Sequence, residues 1–121
     1  MAGYVDGFVI PIPEKNLAAY RRMATKAGKI WMELGALAYY ECVGDDLTPQ
    51  GITATFPRIV KPKPGETVLF SWILYRSKAH RNSVMKKIMA DPRMEKLMDP
   101  KNPLFDMKRM TVGGFKVLVE G

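Results

Sequence analysis

Glu66-Thr-Val-Leu-Phe-Ser-Trp-Ile-Leu-Tyr75 is the stretch whose reading decides the fold. Successive side chains of a strand point to opposite sides of its sheet. Val68, Phe70, Trp72 and Leu74 therefore line one side, with Leu69, Ile73 and Tyr75 on the other and only Ser71 polar among them. A strand with one wet face would alternate apolar and polar, so this one is expected to be covered twice. What covers the second face decides the architecture.

Working outward, the neighbouring segments supply one such layer. Tyr4 to Ile12 reads as a strand, with Tyr4, Phe8, Ile10 and Ile12 on one face together with Asp6. Pro11 and Pro13 suit its end, since proline cannot donate to a ladder. From Glu14 to Leu34 the period becomes helical: Leu17, Tyr20, Ala24, Ala27, Trp31 and Leu34 form one stripe. Gly35 stands where a left-handed C-terminal cap belongs. Ala36 to Val43 is a second strand, with Leu37, Tyr39, Glu41 and Val43 opposed to Ala38, Tyr40 and Cys42. The segment 45–65 is too long for an unstructured loop. Ile52, Phe56, Ile59 and Val60 leave open a helical turn or a strand interrupted by Pro57.

Beyond the organising strand, Ser77 is placed to cap a helix burying Val84, Met85, Ile88 and Met89. Asp91-Pro92 reads as a stop and restart, opening a shorter helix with Met94, Leu97 and Met98. Thr111 to Glu120 is expected to close the chain as a strand, with Gly113-Gly114 marking a bulge or a close backbone approach. The order strand, helix, strand, strand, helix, strand is the ferredoxin-like βαββαβ arrangement, an α+β fold with a four-stranded antiparallel sheet and two helices on one face. Two helices cover one face only. A second copy is the simplest cover for the other, so a homodimer formed through the sheet faces is expected.

Composition narrows the function classes. The 121 residues are expected to form a single domain, 1–121, with a core of its own. No apolar run approaches the roughly 20 residues of a spanning helix, and Met-Ala-Gly-Tyr-Val-Asp lacks the pattern of a signal peptide. One cysteine, Cys42, and one histidine, His80, exclude a disulfide framework and argue against a metal site. A cytoplasmic protein without membrane, metal or cofactor is expected. The net charge of +7 invites a nucleic-acid reading. Its cations are scattered, however, and the third strand lacks the basic-Gly-aromatic signature of RNA-recognition domains.

The chain resembles the YbaA-like family of small bacterial proteins of unknown function. The resemblance spans nearly the whole chain. It is carried by Tyr4-Val-Asp-Gly-Phe-Val9, Cys42-Val-Gly-Asp-Asp46, Val68-Leu-Phe-Ser-Trp-Ile73, Met89-Ala-Asp-Pro-Arg-Met94 and Phe105-Asp-Met-Lys-Arg-Met110, followed by Gly113-Gly-Phe115. It implies the dimeric α/β-barrel version of the ferredoxin-like fold. It implies no activity. The wider fold group includes monooxygenases, haem-degrading enzymes and lyases, but a shared fold is an analogy.

The candidate site residues are Asp6, Glu41, Trp72, Asp106, Lys108 and Arg109. Asp6 and Glu41 are carboxylates inside apolar strands, readable as an acid/base pair, as members of structural salt bridges to Arg109 or Lys108, or as residues at a wet strand end. Arg109 is suited to hold an anion with its planar fork, unless Asp106 and its neighbouring cations simply tie down the loop. Asp6 and Arg109 are expected to share one cavity or ion-pair network, close to Trp72 and Lys108. His80 reads as a solvated surface residue, Cys42 as a small buried hydrophobe, and Trp31 and Trp72 as core or as a pocket wall. The nine methionines read as core filling, or as an adaptable ligand surface. The expectation is a small-molecule-binding homodimer, enzyme or not; the alternative is a non-enzymatic dimeric module that binds another macromolecule.

Overall fold

The computed structural model describes residues 3–121. Its strands are β1 (Tyr4–Pro13), β2 (Ala38–Val43), β3 (Glu66–Tyr75) and β4 (Thr111–Lys116). Its helices are α1 (Leu17–Glu33), α2 (Phe56–Val60), α3 (Lys78–Ala90) and α4 (Pro92–Leu97). The sheet runs β2-β3-β1-β4. Every neighbouring pair is antiparallel. This is the expected ferredoxin-like α+β arrangement, with β1 and β3 central.

The register explains why β3 reads as apolar twice. Tyr4 lies opposite Tyr75 and Pro13 opposite Glu66, so Tyr4, Asp6, Phe8, Ile10 and Ile12 share a face with Tyr75, Ile73, Ser71 and Leu69. That face meets the helices in two buried clusters. One joins Tyr4, Ile73 and Tyr75 to Trp31 of α1 and to Val84 and Ile88 of α3. The other joins Ile10, Ile12 and Leu69 to Tyr20 and Ala24 of α1. The α1 stripe is thus the one expected from the spacing.

The opposite face carries Tyr40, Phe70, Trp72 and Phe115 by alternation. Tyr40 and Trp72 stack with their ring centroids 4.6 Å apart. Tyr40, Phe70 and Phe115 all remain exposed large hydrophobics, at 55%, 46% and 61%. Part of this face is roofed by α2, whose Phe56 meets Phe70 edge-on at 6.0 Å. The open question of segment 45–65 is thereby answered in favour of a helical turn. Pro57 stands in its first turn, where a missing N–H is harmless.

Local signals behave as their chemistry requires. Ser77 accepts the His80 N–H, and Asp91 accepts that of Arg93. Gly35 sits at φ 121°, a backbone that side-chain-bearing residues rarely adopt. The Gly113-Gly114 pair marks a close approach: a Cβ on Gly114 would collide with the Tyr4 hydroxyl. Two expectations need correction. Met89 is 80% exposed, because α3 buries the row through Val84 and Ile88 and Met89 lies one step further round the helix. Strand β4 ends at Lys116, not Glu120. Val117 still donates to the Gly3 carbonyl at 2.9 Å, whereas Leu118 and Val119 are exposed.

Candidate functional site

Alternation along β2 turns Tyr39, Glu41 and Val43 toward the helices, and the register sets Glu41 directly opposite Ser71. The Glu41 carboxylate accepts three hydroxyl hydrogen bonds. Tyr20 of α1 donates to Oε1 at 2.8 Å, Tyr39 donates to Oε2 at 2.6 Å, and Ser71 donates to Oε1 across the ladder. Among the described residues no cation pairs with it. Burial, and then the Glu41 charge, push the Tyr20 and Tyr39 hydroxyls well above the ordinary phenol range. Both tyrosines therefore stay protonated donors to the carboxylate.

This cluster stands between two spaces. A cavity of about 190 Å³ lies between sheet and helices, walled by Phe8, Trp31 and Phe105 and by several methionines, with Glu41 and Ser71 as its polar spots. A wider groove of about 840 Å³ runs along α1 and β2 past Arg21, Arg22 and Cys42, and shares Tyr20, Tyr39 and Glu41. The close seating of α1 on β2 depends on Gly28. A Cβ there would stand 2.8 Å from the Tyr39 ring.

Asp6 belongs to a different cluster. It is buried beneath α3, and Arg81 Nε approaches its Oδ1 at 3.4 Å. Arg81 also donates to the Tyr4 hydroxyl at 3.1 Å and lies 5.1 Å from that ring's centroid. Asp6 Oδ2, the Tyr75 hydroxyl and Arg81 Nε are all buried without a hydrogen-bond partner among the described residues. Burial, with the Asp6 charge second, raises the Tyr75 hydroxyl above its ordinary value.

Arg109 is committed elsewhere. Its two terminal nitrogens grip Glu66 at 2.7 and 2.8 Å, and one of them also reaches the Lys61 carbonyl at 3.2 Å. The network expected to join Asp6 and Arg109 close to Trp72 is therefore not formed. Arg109 precedes β4 at the end of the sheet where β3 begins, and Asp6 lies toward the other end of β1. Trp72 pairs with Gly7 and so faces away from Asp6. Asp106 accepts the Lys108 N–H and caps a short 3₁₀ turn, Met107–Arg109, while the Lys108 side chain is exposed.

The structure therefore brings one of the six candidates, Glu41, to the cavity. Its three donors and the Arg81 partner of Asp6 escaped the sequence reading. Two of them left a signal: Ser71 is the one polar residue between Leu69 and Tyr75 on a buried strand face, and Tyr39 shares its strand side with Glu41. Trp31 is core, as expected. Cys42 is exposed rather than buried, because alternation puts it on the open face near the edge of the sheet. His80 is half-buried rather than solvated. Its Nδ1 accepts the Arg76 N–H at 3.0 Å, and burial, followed by the Arg76 charge, lowers its pKa. No described helix is long and apolar enough to cross a membrane.

Comparison with known proteins agrees with this geometry at the level of fold. A family model described as a protein of unknown function (DUF1428) matches residues 3–107. An uncharacterised protein, YbaA, from Escherichia coli strain K12 is 43% identical over 117 residues, covering 97% of each chain. Among solved structures, a dimeric ferredoxin-like protein from an uncultured marine organism superposes with a TM-score of 0.62 at 9% identity, covering both chains fully. A nipsnap family protein of unknown function from Agrobacterium tumefaciens gives 0.59 at 13% identity, over 95% of this chain and 87% of that one.

Proposed function

The chain belongs to the DUF1428 family of proteins of unknown function, and from that premise we propose that this single domain works in the cytoplasm as a homodimer that binds a small molecule at Glu41. One observation carries the binding half: the Glu41 carboxylate, held by three hydroxyls and paired with no cation among the described residues, lies on the wall of a largely apolar cavity. Apolar walls with a few convergent polar groups are the usual make-up of a ligand site.

The dimer half is supported by the open sheet face. Tyr40, Phe70 and Phe115 form an exposed aromatic surface with Trp72, and the marine ferredoxin-like protein of the same fold is described as dimeric. Light scattering on the purified protein is expected to give twice the chain mass, and Phe70→Glu to give a monomer. A monomer for the unmodified protein at micromolar concentration would overturn the dimer.

Fragment binding followed through methionine-methyl NMR signals tests the pocket. Ligands of the cavity shift Met23, Met94 and Met110, whereas the exposed Met89 serves as a control. Shifts confined to Met89 and the open face would overturn the pocket. The cavity's size favours a second reading, because about 190 Å³ falls short of the roughly 300 Å³ at which drug-sized ligand sites begin. On that reading the dimer is an interaction module for another macromolecule.

A further inference from the structure

The Glu41 cavity has a sign of charge, and its chemistry selects an occupant. The three hydroxyls around the carboxylate supply dipoles but no positive charge. Among the described residues, neither lysine nor arginine lines this half-open cavity. Arg21 and Arg22 border only the outer groove, on the exposed surface of α1. An ionised carboxylate beside low-dielectric walls attracts a cation more strongly than the same carboxylate in water. It repels an anion and discriminates little among neutral molecules.

The walls add to this preference. Phe8, Trp31 and Phe105 present aromatic rings, whose negative faces attract cations. Met23, Met94 and Met110 add polarizable thioethers that adapt to irregular shapes. Glu41 retains accepting capacity as well. Among the described residues Oε1 takes two hydroxyls and Oε2 takes only Tyr39, which leaves an acceptor site on Oε2. A volume of about 190 Å³ suits an occupant smaller than a drug-sized ligand.

We propose that the occupant is a small organic cation, an amine or quaternary ammonium compound whose charged end rests against Glu41 within the ring of aromatic and thioether walls. The inference rests on the binding site proposed above and adds its ligand class.

Three probes of one shape separate charge from fit: choline, its uncharged analogue with a tert-butyl group in place of the trimethylammonium, and the tert-butylacetate anion. Each is titrated into the intact protein at millimolar concentration while the methyl signals of Met23, Met94 and Met110 are followed. Choline is expected to bind about tenfold or more tightly than the uncharged analogue, a difference of the size that cation–π attraction and ion pairing supply. The anion is expected to leave these signals in place. In Glu41→Gln the preference for choline should fall to near parity, with the neutral probe unchanged. Equal binding of choline and its uncharged analogue, or tighter binding of the anion, overturns the cation while leaving the cavity as a ligand site. No shift at the three methionines with any probe overturns the cation as well. Failure of the wider fragment set at the same methionines would then remove the site itself. If Glu41→Gln does not fold, the three-probe comparison on the unmodified protein decides alone.

Discussion

Ser71 and Glu41 face each other across the β2–β3 ladder, and the serine hydroxyl is donated straight to the carboxylate. The one polar residue on the helix-facing stretch of β3 between Leu69 and Tyr75 thus has a single evident task. Hydrogen bonds to a charged group contribute about 1.5–3 kcal/mol each. Ser71→Ala and Tyr39→Phe are each expected to lower unfolding free energy by an amount in that range, read from urea denaturation midpoints. Losses of only a few tenths would mean that water replaces the missing hydroxyl.

The buried tyrosines set an alkaline limit. Tyr20, Tyr39 and Tyr75 have hydroxyl pKa values raised above the ordinary 10.0 by burial and by Glu41 or Asp6. The unfolded chain therefore loses these protons first. Their contribution is intact below about pH 10 and declines as pH rises beyond it. Stability against urea should fall steeply above that pH, and less steeply in Tyr39→Phe. An unchanged slope in the variant would count against the hydroxyl's part in it.

Asp6 and Arg81 form a buried pair with incomplete hydrogen bonding. Arg81→Met leaves the carboxylate uncompensated and is expected to cost about 3–5 kcal/mol. Adding Asp6→Leu to Arg81→Met should recover much of that loss, because an apolar pair of similar volume avoids desolvating two charges. A double variant no more stable than the single one would show that Asp6 acts through another partner.

At the opposite end of β1, the grip of Arg109 holds the Glu66 carboxyl below its ordinary pKa. A carboxylate depressed in this way stabilises the fold above its unfolded value, near 4.5, and that contribution fades as pH falls. Arg109→Gln should lower stability at neutral pH and flatten the acid side of the profile. Equal loss at all pH values would assign the effect to packing alone.

Much of the fold is legible in the chain because its signals are local. The stripe of α1, the caps at Ser77 and Asp91, and the twofold apolarity of β3 are set by spacing along a few turns or one strand. The site is less legible because its partners are distant. Alternation places Tyr39 beside Glu41, but nothing in sequence brings Tyr20 to the same oxygen as Ser71. Arg81 reads as part of a solvated helix face until α3 packs over Asp6 and Tyr4. Strand adjacency alone joins Arg109 to Asp6, and it takes no account of how far apart along the ladder the two positions lie.

Gly28 gives the carboxylate cluster a bearing on protein engineering. A glycine in the middle of a helix costs roughly 1 kcal/mol relative to alanine, which makes Gly28→Ala an obvious candidate for raising thermal stability. Here the new methyl would meet the Tyr39 ring at 2.8 Å, and that ring carries one of the three hydroxyls on Glu41. The gain in helix propensity and the seating of the carboxylate are therefore in direct opposition. A screen that selects only for heat resistance is free to accept the alanine and disturb the pocket, whereas one that also demands an occupied cavity has to keep the glycine.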